Sequence, residues 1–184
     1  MRTPVIKPTG MAMLVLWAAA CGLGNLAALA AEPVHASRED QLKAGYVFNF
    51  AKFVEWPNLG ASETLTICFL GGTGIREAFV ASAAGKQVGT HPFVARAVAG
   101  KAAPGCHLLF IAADAPANAD VANNAAVLLI GEERDFVRKG GIIELFTEDN
   151  RLRFNINLDN ARRNGLKISS NLLQLASHVE EAGR

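Results

Sequence analysis

LTICFLGGTG, Leu65 to Gly74, runs without a break into IREAFVASAA, Ile75 to Ala84. Leu65-Thr66-Ile67-Cys68-Phe69-Leu70 is a short apolar run bounded by turn formers, the pattern of a buried strand. GGTG is the turn, and Ile75 to Ala84 reads as a helix. A strand-turn-helix unit needs further units of its kind to bury both faces of the strand, and they follow. Gly89 to Val98 reads as an edge-like strand, because Pro92 has no N–H to give to a ladder. His107 to Ala112 is a buried strand, Asn118 to Ala125 a helix and Ala126 to Ile130 another strand. This alternation predicts an α/β fold: a mostly parallel sheet with helices on both faces, an α/β/α sandwich.

Further along, the alternation gives way to a C-terminal hairpin and helix. Ile142 to Phe146 and Leu152 to Ile156 flank a loop of about five residues, Thr147 to Arg151. Asp159 is placed to cap a short helix ending at Gly165, and Leu166-Lys167-Ile168 is extended. Ser169 or Ser170 caps a last helix through about Glu181, with Leu172, Leu173 and Ala176 facing inward.

Upstream, Ser37-Arg38-Glu39-Asp40 has the form of a capping box, opening a helix that reaches about Glu55, where Trp56-Pro57 stops it. Within it, YVFNFAKFVEWP, Tyr46 to Pro57, carries five aromatic residues. Tyr46, Phe50 and Phe53 share one helical face with Val47 and Val54 beside it, and core packing accounts for them. Phe48 and Trp56 fall toward Asn49, Lys52 and Glu55. The segment is therefore expected both to anchor the sheet and to offer apolar surface to a partner or a second copy, a homodimer.

Arg2 and Lys7 precede an uncharged, Ala-rich run ending in Ala28-Leu29-Ala30, the form of a secretory signal peptide cleaved near Ala30. An uncleaved anchor is the alternative, since the run is about long enough to span a bilayer. Residues 31–184 then form a single domain of 154 residues, with 16 basic and 17 acidic side chains and a formal charge of −1. That balance lacks the basic footprint of a nucleic-acid binder. Cys68 and Cys106 remain, and an even count in an exported chain favours a disulfide. Zinc held by Cys68, Cys106 and His107 is the competing reading, although His35, His91 and His178 show no ligand spacing.

Catalytic signatures are missing. Gly72-Thr73-Gly74 would place the third glycine of a dinucleotide loop at Glu77, whose carboxylate would oppose a pyrophosphate. There is no G-x-x-x-x-G-K-[ST], G-x-S-x-G or H-E-x-x-H. Cys106 and His107, as strand neighbours, point to opposite faces. Glu132-Glu133 with Asp135 reads as a solvated acidic turn rather than a cation site. No catalytic residue, cofactor or metal is expected.

Between Arg134 and Lys167, eight basic residues outnumber five acids, a local +3. Ordinary solvated surface explains most such charge; an acidic partner or anionic head groups are the alternative. Arg151, Arg153, Asn155 and Asn157 line one face of a strand, opposite Leu152, Phe154 and Ile156.

Together, the aromatic Trp-Pro helix, the LTICFLG strand, GCHLLFIA and the closing GGIIELFTEDNRLRFNINLDNARRNGLKISSNLLQLA resemble the YfiR-like family of periplasmic proteins over nearly all of residues 40–178. The resemblance implies a non-catalytic regulator that represses an inner-membrane diguanylate cyclase, or accompanies a sensor kinase, by binding its periplasmic part. It also implies an outer-membrane lipoprotein as a second partner, and Cys68–Cys106 as the family's core disulfide. A second cysteine pair known around the hairpin in this family has no counterpart here, so redox control through it is not implied. Tyr46, Phe48, Trp56, Arg151, Arg153, Asn155 and Asn157 are the candidate partner contacts. A periplasmic small-molecule sensor with a pocket at the strand ends is the alternative function; an envelope hydrolase is a more distant one.

Overall fold

The computed structural model describes residues 36–57, 59–60, 63–99, 104–116 and 126–181. The signal-peptide segment and the helix expected over 118–125 lie outside them. The described residues belong to one unit, Pro33–Arg184.

Helix α1, Arg38–Lys52, starts at the expected capping box: Ser37 Oγ accepts from Asp40 N–H while the Asp40 carboxylate accepts from Ser37 N–H. It ends earlier than the sequence suggests. Val54–Glu55 forms β1, antiparallel to β8 at Lys167–Ile168, and Ser169 N–H donates to Phe53 O. Pairing with a distant strand outcompetes the last helical turn, which a β-branched residue favours little.

Strand β2, Leu65–Leu70, turns through Gly71 and Gly72, both left-handed, into α2, Thr73–Ala83. A side chain at either glycine would be strained, and a Cβ on Gly71 would also meet Asp114 at 2.4 Å. Strands β3 (Phe93–Val98), β4 (Leu108–Ile111), β5 (Leu128–Gly131), β6 (Ile143–Glu148) and β7 (Arg151–Asn157) complete most of the sheet. Among the described residues its order is β3-β2-β4-β5-β6-β7-β9, with β9 at His178–Glu180. Pairing is parallel from β3 to β6; β7 runs antiparallel to β6, and β9 parallel to β7. The architecture is thus α/β, with a mostly parallel sheet as expected and Phe93–Val98 at its edge.

Cross-strand register puts Ile67 beside Leu108, Phe110 beside Ile130, and Leu145 beside Phe154 on one face. Both long helices pack on that face, Phe50 edge-on to Phe154 and Phe79 against Phe69. These rings are almost completely buried and form the centre of the core.

The C-terminal third departs from expectation in three places. Asp149 and Asn150, with φ of 49° and 59°, make a two-residue turn, so the β6–β7 strands run longer and the loop is shorter than five residues. Asn157, not Asp159, caps α3 (Leu158–Arg163), accepting from Asn160 N–H at 2.8 Å. Helix α4 spans only Ser170–Leu175, capped by Ser169, because the chain then turns extended and β9 satisfies the open edge of β7. Hydrogen bonds along that edge replace the helical turns predicted to reach Glu181.

Candidate functional site

Cys68 and Cys106 are joined as a disulfide, with Cα atoms 5.9 Å apart. Their thiolates are thereby lost to zinc, and among the described residues no cluster of metal-binding side chains occurs. Arg96, opposite Cys68 in the β2–β3 register, lays its guanidinium against both sulfurs at 3.4 and 3.5 Å. The next residue, His107, turns away: Nδ1 accepts from Thr66 N–H at 2.9 Å and the ring meets Trp56 edge-on. Burial pushes the His107 pKa below its ordinary value, with His91 adding to the effect and Glu63 opposing it.

The GGTG turn is closed to anions. Gly72 N–H donates to the Asp114 carboxylate at 2.7 Å, and the Asp40 carboxylate lies where a Gly74 side chain would be.

The aromatic candidates are packed into their own chain. Tyr46 donates its hydroxyl to Leu152 O at 3.1 Å and stands edge-on to Phe50 and Phe154. Phe48 meets Phe79 and Phe93, with Lys52 and Lys86 over its ring. Trp56 donates Nε1–H to Ala51 O at 3.1 Å. Each keeps a partly exposed edge. The apolar pocket between Trp56, His107 and Leu166 holds only about 10 Å³, room for one water rather than a ligand.

The polar strand candidates lie on the sheet face away from α1 and α2. Pairing there sets Arg151 opposite Glu148, Arg153 opposite Phe146 and Asn155 opposite Glu144. Arg151 is exposed, Arg153 is ion-paired with Glu148 at 3.0 Å, and Asn155 is half-buried. Asn157 is not part of this surface. It is 8 % exposed, and its amide donates to Val137 O and the Glu180 carboxylate besides capping α3. Tyr46 and Phe48 and the strand arginines thus occupy opposite sides of the sheet rather than one continuous patch.

Much of the local positive charge is internally matched, through Arg138–Asp135, Lys139–Glu133, Arg162–Glu181 and Lys167–Glu55 pairs. Glu132 corrects the reading of a solvated acidic turn. Its side chain is 8 % exposed, pairs with Lys43 at 2.5 Å and accepts from Ala113 N–H at 2.9 Å. Desolvation alone would lower the Lys43 pKa, but Glu132 and Glu39 outweigh it and hold the pKa above its ordinary value. Glu144, one of the five acids counted between Arg134 and Lys167, is the other mostly buried acidic residue that sequence reasoning missed. Its alternation with Ile143 and Leu145 was the available signal: it places the acid on the sheet's second face.

These features define a class: an α/β domain with a disulfide-tied parallel sheet whose hairpin presents one polar face. Comparison with known families matches residues 40–177 to the family described as YfiR/HmsC-like, and the chain belongs to it. That family consists of periplasmic regulators of diguanylate cyclases, regulatory rather than catalytic, which act with a membrane signalling protein. No curated protein matches this chain. Among the described residues no helix is long and apolar enough to cross a membrane.

Proposed function

We propose that this chain is exported, loses its first thirty residues, and binds the periplasmic part of an inner-membrane diguanylate cyclase or sensor kinase to hold it inactive. The observation that carries this reading is the family match, which runs through the hairpin and its polar face to residue 177. Arg151, Arg153 and Asn155 form the contact in this reading, since they are accessible and their replacement leaves the helix-covered core intact. A second copy of the chain covers the exposed edges of Tyr46, Phe48 and Trp56, and an outer-membrane lipoprotein competes for the regulator to release the enzyme.

The role is tested by the double variant Arg151→Glu, Arg153→Glu, which moves the local charge by four units and disfavours an acidic partner. Expressed at normal level, the variant should fold, keep its disulfide and fail to lower the activity of the cognate membrane enzyme. Full repression by the variant removes this face as the contact. Sedimentation at micromolar concentration should show a dimer; a monomer throughout would return the aromatics wholly to the core.

A further inference from the structure

His107 stands where the β2–β4 pairing begins. Thr66, the second residue of β2, accepts the His107 N–H on its carbonyl at 2.8 Å and donates its own N–H to His107 Nδ1 at 2.9 Å. The imidazole thus does the work of a backbone carbonyl, and it can do so only while Nδ1 carries no proton. The same ring meets Trp56 edge-on, with centroids 6.4 Å apart. Trp56, Pro57, Leu59, Ala126 and Leu166 close around it and leave about 10 Å³. His107 is only half-buried, so a proton reaches it without unfolding of the sheet.

Protonation sets two donors against each other, because an Nδ1–H then faces the Thr66 N–H. The conflict is relieved when the ring turns out of the ladder. A space the size of one water cannot take a turned imidazole, so a neighbour must yield. Leu166 is 2 % exposed and part of the core, whereas Trp56 is half-exposed and its Nε1–H is held by Ala51 O at 3.1 Å. Trp56 is therefore the group that moves. Attraction between an imidazolium and the indole face does not oppose this, since it leaves the two donors where they are. Burial and His91, which precedes β3, work against the proton, and Glu63, which precedes β2, favours it. Glu55 on β1 and Lys167 on β8, the charges flanking Trp56 and Leu166, are paired with each other at 3.3 Å.

We propose that His107 and Trp56 form an acid-sensitive latch: a proton on His107 breaks its bond to Thr66 and releases the Trp56 side chain to solvent while the sheet stays folded. The inference goes beyond the partner-binding role and meets it at one residue, because Trp56 is one of the aromatic edges assigned above to a second copy. Acid thereby remodels that surface and weakens self-association.

The test uses the exported protein with Trp17→Phe throughout, which leaves Trp56 as the only tryptophan. Acrylamide quenching of its fluorescence, far-ultraviolet circular dichroism and the NMR titration of the His107 ring are followed from pH 8 to pH 4.5. The quenching constant should at least double in one step centred below pH 6.5, together with the ring titration and at constant dichroism. His107→Gln, whose side-chain carbonyl accepts a bond but takes no proton, should hold the neutral-pH value throughout, and His91→Gln should keep the step. Flat quenching, a step retained in His107→Gln, or a step that coincides with loss of dichroism overturns the latch. If His107→Gln does not fold, the parent protein decides: different midpoints for the quenching step and the His107 ring overturn it as well. Sedimentation separates the two readings. A monomer at pH 7.5 removes the second copy and not the latch, whereas a dimer equally tight at pH 7.5 and pH 5 overturns the acid remodelling of that surface.

Discussion

His107 shows how a single residue in a strand can couple packing to pH. In the folded chain its Nδ1 accepts from Thr66 N–H, so the ring is held neutral, and burial lowers its pKa from 6.5. A folded pKa below the unfolded one means that the unfolded chain binds more protons in the interval between them. The associated stability is complete above about pH 6.5 and is lost as pH falls toward and through the folded value. Denaturant unfolding between pH 5 and 8 should therefore show a steeper acid loss in wild type than in His107→Asn. Parallel profiles would show that the ring is not held neutral. The sequence shows this histidine but not its partner, because Thr66 lies 41 residues away. The same limit hid Glu132: an acid in a polar turn reads as solvated until Lys43 of α1 is brought to it.

At the scale of the element, the sequence reveals runs with strong periodicity and misses those decided by pairing. Leu65–Leu70, Leu108–Ile111 and Leu128–Gly131 are legible because a buried parallel strand must be apolar on both faces. Val54–Glu55 and His178–Glu180 are not, since each is extended only because another strand's open edge accepts it. The candidate surface was half legible for the same reason. Arg151, Arg153 and Asn155 follow from period two, whereas Asn157 keeps the period but lies where the strand enters a helix cap. The turn after β5 illustrates a tighter constraint. Phe136 packs over Gly131 and Gly141, where a Cβ would come within 2.7 and 2.1 Å of its ring. Gly141→Ala should lower stability by about 1–3 kcal/mol through overpacking. Denaturant midpoints unchanged within error would mean that the Phe136 ring is free to move.

Across the whole molecule, the disulfide ties β2 to the segment entering β4, and both cysteines are almost fully buried. Breaking it with Cys68→Ser should cost about 2–5 kcal/mol. Thiol titration of denatured, unreduced wild type should find no reactive group, and two would refute the bridge. The bridge, the capped helices and the shared core fix the hairpin in place, so that its outer face is presented on a rigid support.

The most direct check of that presentation is the affinity of the purified protein for the periplasmic segment of the diguanylate cyclase or sensor kinase proposed as its partner. Wild type should bind at micromolar concentration or tighter, and Arg151→Glu, Arg153→Glu should bind at least tenfold more weakly while unfolding at the same denaturant concentration. Equal binding by the two proteins, or no binding by folded wild type, would contradict the account.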